Sequence, residues 1–248
     1  MLKNLIDALS LKLGYKILPV WRFDLYNQTE LLSRLIETHK INLVIDVGAN
    51  TGQFASYLRT HVGYKNRIIS FEPISDNYKK IVKLTENDSF WSVFCYALGA
   101  EETNKSFNIM KEDQFSSFLH PTTKNIDSFV DNNIIDRTET ISLRKLDNVL
   151  NELDLINSKS NIYLKLDTQG YDLEVIKGAQ NSLSRISILQ TELSVINIYD
   201  DMPKMNYVID KLRDIGFEIA GLFPISTDKN YRVIEFDGIF VNKSFNLL

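Results

Sequence analysis

Three groups of residues in this 248-residue chain have the types and spacing to do chemistry. The first is Asp46-Val47-Gly48-Ala49-Asn50-Thr51-Gly52, a glycine turn that follows an apolar run and opens a helical one, so its backbone can approach a ligand closely. A dinucleotide fingerprint reads G-x-G-x-x-G and seats a pyrophosphate on the helix N-terminus. Here the spacing is G-x-x-x-G, with Asp46 two residues ahead of it. That acid repels a pyrophosphate. It can instead hold an ammonium, directly or through water, while backbone N–H groups of the loop, from Gly48, Ala49, Asn50 and Gly52, take a carboxylate. The second group is Glu72-Pro73, 20 residues after Gly52, where a carboxylate can accept both hydroxyls of a ribose and the proline stiffens the turn. With Ala97 and Leu98 as an apolar wall beside an adenine, the ligand implied is an adenosine joined to an amino acid.

The third group is a pair of carboxylates, Asp167 and Glu192, each closing an apolar run. Placed at the ends of neighbouring strands, they converge on one point. There they can act as base and orienting group toward a hydroxyl, or bind Mg²⁺ through hard oxygen ligands. His120, in a polar stretch, is a further candidate general base, histidine being the side-chain type suited to proton transfer near neutrality. His39 and His61 end amphipathic helices, where surface or capping roles suit them better.

These residues need a scaffold that brings strand ends together, and the middle of the chain supplies the pattern for one. Short apolar runs (Ile41 to Val47, Arg67 to Phe71, Phe90 to Ala97, Asn161 to Leu166, Ile186 to Thr191) alternate with amphipathic segments. That βαβ rhythm predicts an α/β fold, a doubly wound and mostly parallel sheet covered by helices on both faces. Ser75 is placed to cap the second helix, and Leu173, Ile176 and Leu183 share a face of a later one. Met205, Val208, Ile209 and Leu212 follow helical spacing up to Gly216. Two strands come after, Phe217 to Leu222 and Tyr231 to Val241, joined by a short loop and so antiparallel. Residues 100–145 break the rhythm and read as an insertion on the ligand side. Residues 1–40 read as a helical extension to a domain spanning 41–248.

With these residues in view, the sequence resembles the FkbM family of methyltransferases. The resemblance lies in Ile45-Asp46-Val47-Gly48-Ala49-Asn50-Thr51-Gly52, in Phe71-Glu72-Pro73, and in Leu164-Lys165-Leu166-Asp167-Thr168-Gln169-Gly170-Tyr171-Asp172. It extends over about residues 41 to 242, with echoes at Ser116-Ser117, Leu146-Asp147, Lys177-Gly178-Ala179, Glu192 and Asp237-Gly238-Ile239-Phe240-Val241. It implies a seven-stranded Rossmann-like sheet of the class I methyltransferase kind, with S-adenosylmethionine as cofactor and O-methylation of a sugar or small specialised metabolite. The sequence departs from the family at Gln169, where many members carry a glutamate and an amide has no acid–base part to play.

Composition limits the alternatives. A net charge of −4, with no Lys/Arg-rich run, offers no attraction to a phosphate backbone and argues against nucleic acid as substrate. Cys95 is the only cysteine, which excludes an intrachain disulfide or a Cys zinc site and fits a reducing, cytoplasmic setting. No membrane span is expected. The amphipathic start, with Leu2, Leu5, Ile6, Leu9 and Leu13 at helical spacing, is expected to pack on its own domain or on a second subunit of a homodimer rather than lie on a membrane surface. A nicotinamide-dependent oxidoreductase on the same sheet needs the missing G-x-G-x-x-G, and a non-catalytic nucleoside-binding module leaves the two carboxylates without work.

Overall fold

The computed structural model describes residues 23–122, 134–155 and 160–245, together with Ser10, residues 12–15 and Ile17. Most of the N-terminal periodicity at residues 2–13 therefore lies outside the described residues. The first complete element is helix α1 (Phe23–Thr38), anchored by Leu32, which is fully buried.

Seven strands form the main sheet: β1 (Leu43–Val47), β2 (Arg67–Phe71), β3 (Trp91–Phe94), β7 (Ile162–Leu166), β8 (Ile186–Ser194), β9 (Phe217–Thr227) and β10 (Val233–Asn242). Their order is β3-β2-β1-β7-β8-β10-β9, parallel except for β10, which runs antiparallel to both of its neighbours. From β1 the chain winds outward through β2 to β3 and then returns to the other side of β1 at β7. The reversal leaves a crevice above the carboxyl ends of β1 and β7, the position where open α/β sheets bind ligands.

Strand alternation sorts the residues of this sheet by face. Ile45, Leu164 and Leu189 enter one core, beneath α4 (Leu146–Glu152), α5 (Asp172–Lys177) and α6 (Met205–Asp214). Val44, Tyr163, Ile188 and Ile239 enter the other, with Leu32 of α1 and Ala55 of α2 (Gln53–Tyr57). β1 and β7 are buried along their whole length, as central parallel strands must be.

Several elements depart from their expected form. The run Phe90 to Ala97 is two strands. β3 ends at Phe94, and β4 (Ala97–Leu98) joins a separate three-stranded sheet, ordered β4-β6-β5, with β5 (Thr103–Met110) and β6 (Ile135–Arg144). Residues 100–145 thus contain an antiparallel pair of long strands, and residues 123–133 between them lie outside the described residues. Ser75 does not cap α3 (Ser75–Thr85) but is its first helical residue. The N–H of Ile74 at the helix start is taken by Glu72. α5 is a short helix of six residues, so Leu183 lies beyond it in a 3₁₀ turn at Leu183–Arg185. α2 runs on into a π-helical turn, Leu58–Val62, that carries His61, while His39 is buried just past α1.

Candidate active site

The glycine turn after β1 is held in an unusual backbone conformation. Gly48, Asn50 and Gly52 have φ of 77°, 48° and 84°, and a Cβ on Gly48 would lie 1.9 Å from the carbonyl oxygen of Asp167. Only glycine lets the turn pack this closely on the end of β7. The N–H groups of the turn are nearly all engaged inside the protein. Those of Gly48 and Ala49 donate to the carbonyl of Phe71, that of Asn50 to Glu72, and that of Gly52 to Ala49. The exception is the N–H of Thr51, which donates to the exposed side chain of Gln53 at 2.9 Å, an acceptor that a ligand carboxylate can replace. The sequence expectation of a whole loop of available N–H groups is corrected accordingly.

Glu72, 4% exposed, follows β2 and faces the crevice. Its two oxygens accept the N–H of Asn50 at 2.7 Å and of Ile74 at 2.8 Å. These bonds fix its orientation and leave lone pairs for a ligand's hydroxyls. Burial pushes its pKa up to about 8 against the pull of those two hydrogen bonds. Pro73, Ala97 and Leu98 line the same space, and Asp113 from the 100–145 segment reaches across it to accept from the Asn50 amide at 3.2 Å. The crevice is one continuous cavity of about 410 Å³, running from these residues past Asp167, Thr168, Gln169 and Glu192 to Gln28 and Asp237. That size suits a cofactor or substrate site.

Asp46 does not line this cavity. It is fully buried beneath the turn, accepts from Ser70 Oγ at 3.0 Å, and has a second oxygen without a hydrogen-bond partner. Burial raises its pKa to about 6, and Lys165 opposes the rise. Any hold on a ligand's ammonium is therefore through space or through water.

Asp167 and Glu192 do meet. Asp167 directly follows β7, and Glu192 lies within β8 near its end rather than after it. Gln169, at φ 51°, bridges them. Its amide donates to Asp167 at 3.2 Å and to Glu192 at 2.8 Å, and its carbonyl accepts the Tyr199 hydroxyl at 2.9 Å. Lys165, on the same face two residues before Asp167, places its ammonium 2.5 Å from that carboxylate. The Lys165 side chain is 7% exposed and that of Asp167 34%, so the lysine is sealed behind an aspartate that faces the cavity. Burial pushes Asp167 upward, but the Lys165 charge, with hydrogen bonds from Lys165, Gln169 and Glu192, outweighs it and holds the pKa below the usual value. Glu192 is raised well above its ordinary value by burial and by the Asp167 charge. The two carboxyls are thus driven apart: Asp167 favours its ionised form, and a proton shared by the pair favours Glu192.

This donor set does not suit Mg²⁺. The Lys165 ammonium already occupies the cationic position beside Asp167, and among the described residues no group of three His, Cys, Asp or Glu is arranged to hold a metal. His120 is exposed and is not among the residues lining the cavity. Its carbonyl accepts the N–H of Asp200. Among the described residues no helix is long and apolar enough to cross a membrane.

Sequence reasoning passed over Lys165, Gln190, Asp237 and Gln28, which join the site from β7, β8, β10 and α1. One signal was available. A lysine inside an apolar strand, two residues from an aspartate, shares a face with it and needs a partner there.

A family model described as the methyltransferase FkbM domain matches residues 46–219. Among curated proteins none matches the sequence significantly. Solved structures similar in fold include an FkbM methyltransferase from Methylobacillus flagellatus KT, at 16% identity and TM-score 0.47, over 81% of this chain and 43% of that one. This chain therefore spans less than half the length of that protein. Fibrillarin from Aeropyrum pernix with natively bound S-adenosyl-L-methionine aligns at 13% identity and TM-score 0.47, over 87% of this chain and 74% of that one. Magnesium protoporphyrin IX methyltransferase from Synechocystis PCC 6803 aligns at 11% identity and TM-score 0.44, over 92% and 86%.

Proposed function

The chain belongs to the FkbM methyltransferase family, and on that premise we propose that it transfers the methyl group of S-adenosylmethionine to a hydroxyl oxygen of a sugar or small metabolite. The observation that carries the reading is the meeting of Asp167 and Glu192, bridged by Gln169, in the cavity that Glu72 and the glycine turn also line.

The cavity residues fit the cofactor. Glu72 is oriented to accept two ribose hydroxyls, Ala97 and Leu98 give an apolar wall, and Thr51 has an N–H that a carboxylate can take from Gln53. S-adenosylmethionine supplies an electrophilic methyl on a sulfonium. The chain's own residues then have two tasks, to align an acceptor oxygen in line with that methyl and to remove its proton. Asp167, kept ionised by Lys165, accepts a hydrogen bond from the acceptor hydroxyl and orients it. Glu192, once deprotonated, is the stronger base of the pair because its pKa is raised, and it takes the proton as the carbon–oxygen bond forms. Gln169 keeps the two carboxyls at a fixed separation, an orienting part that an amide fills as well as an acid.

The test uses S-adenosylmethionine with a ¹³C-labelled methyl group and a panel of methyl glycosides as acceptors, followed by NMR. A new O-methyl carbon on one glycoside, lost in Asp167→Asn, supports the reading. An N-methyl product from an amine panel, or failure of S-adenosylhomocysteine to bind, overturns it.

A further inference from the structure

We infer that Gln28 of α1 and Asp237 of β10 form an acceptor-reading pair, and that the acceptor they fit is a neutral, hydroxyl-rich sugar ring. The inference rests on the methyl-transfer reading above and names the substrate class of the same cavity.

Position comes first. The cofactor residues belong to β1, β2 and β4, whereas Asp237 lies beyond β7 and β8 in the sheet order. At about 4.8 Å per strand, four steps separate the end of β2 from β10, or about 19 Å. Asp167 and Glu192 stand between. A group bound at Glu72 therefore presents its reactive end to the carboxylate pair, and the cavity's remaining part, around Asp237, faces that pair from the opposite side. This is where an acceptor must lie.

The chemistry of that part follows from its lining. Gln28 donates to Asp237 at 2.9 Å across 209 residues of sequence. A primary amide and a carboxylate side by side offer donors and acceptors at the spacing of neighbouring hydroxyls on one ring. Phe54 and Tyr57 line the cavity beside them, and Leu25 and Ile225, 46% and 44% exposed, add apolar surface. Aromatic walls with a few fixed polar groups are the usual makeup of a small-molecule site.

Charge narrows the class. Lys165 is the one cationic side chain lining the cavity among the described residues, and Asp167 already neutralises it at 2.5 Å. A phosphate or carboxylate on the acceptor finds no free cation in this lining and faces the ionised Asp167 instead. Gln28 is also well held. Leu32 buries the helix against the sheet, and Thr29 Oγ1 shares a hydrogen bond with Tyr57 at 2.7 Å. α1 lies outside the residues matched by the family model, so it brings this chain's own selectivity to the shared catalytic frame.

Saturation-transfer NMR on the S-adenosylhomocysteine complex tests this, with the methyl pyranosides of glucose, galactose and mannose as probes beside glucose 6-phosphate, glucuronate and glucosamine. The expected result is transfer to the ring protons of a neutral pyranoside, weaker by at least tenfold in Gln28→Leu and in Asp237→Asn, with S-adenosylhomocysteine affinity unchanged within twofold. Retained cofactor affinity shows that each variant is folded. Should Gln28→Leu lose it, Gln28→Asn, one methylene shorter, provides the same comparison. The inference is overturned if the variants keep the wild-type sugar signal, if a charged sugar binds more tightly than the neutral ones, or if no neutral pyranoside binds the wild-type complex. Failure of S-adenosylhomocysteine to bind the wild type instead takes down the methyl-transfer reading itself, so the two failures are distinct.

Discussion

Cofactor binding should depend on pH through Glu72. Burial pushes this carboxyl up to about 8, although two backbone N–H groups hold it at 2.7 and 2.8 Å. Ribose hydroxyls donate to a carboxylate and so favour its ionised form. Binding is then coupled to loss of one proton. At two pH units below the pKa about 1% of the group is ionised, which weakens binding about 100-fold, or about 2.7 kcal/mol. The sign for the free protein is opposite. A folded-state pKa of about 8 against an ordinary 4.5 means that the native state keeps a proton the unfolded chain releases. Stability contributed through Glu72 is therefore greatest below the ordinary value and falls as pH rises toward 8. Glu72→Gln has nearly the same shape and does not titrate. It turns an NH₂ toward one of the backbone donors, at a cost of about 1–3 kcal/mol. Calorimetric titration with S-adenosylhomocysteine between pH 6 and 9 reads the effect, with affinity rising toward a plateau above pH 8 in the wild type and flat in the variant. A flat wild-type profile, or a variant that keeps the wild-type slope, would refute this reasoning.

Asp167→Asn should lower methyl transfer by at least about 10²-fold, the low end for losing acid–base assistance, and shift cofactor affinity by less than about threefold. Because Lys165 rather than a metal stands beside Asp167, the wild-type rate in the same assay should survive a chelator. At saturating cofactor the wild-type rate should climb as pH rises, since burial and the Asp167 charge raise the Glu192 pKa above its ordinary value, and Glu192→Gln should flatten that limb of the pH–rate profile. Gly48→Ala puts a Cβ 1.9 Å from the Asp167 carbonyl at a φ of 77°, so thermal unfolding should show a loss of more than about 2 kcal/mol, with cofactor binding lost alongside.

Much of the frame was legible because it rests on local pattern. The apolar runs that became β1, β2 and β7 are buried on both faces, and such strands show themselves in sequence without long-range information. The antiparallel turn-back of β9 and β10 followed from the short loop between them. What escaped depends on which strands end up adjacent. The run from Phe90 to Ala97 reads as one strand, but the chain leaves the main sheet after Phe94, because Ala97 and Leu98 pair with Leu143 and Arg144 nearly fifty residues away. The bridging part of Gln169 was hidden for the same reason, since its partners Glu192 and Tyr199 come from further along the chain. Lys165 could have been noticed as a lysine in an apolar strand, but its role required knowing that Asp46 of β1 and Gln190 of β8 lie on either side of it, with Asp167 just past the end of its own strand. Asp46 was read as holding an ammonium directly or through water; an even position on β1 turns it inward beneath the glycine turn, which the motif alone does not show and which leaves the route through water.

The most direct test of the catalytic arrangement is a crystal structure of the complex with S-adenosylhomocysteine. The expected result has both ribose hydroxyls on Glu72, the adenine against Leu98, and the sulfur turned toward the Asp167–Glu192 pair with room for an acceptor between it and Asp237. A sulfur facing away from that pair, or a ribose bound elsewhere than at Glu72, would contradict it.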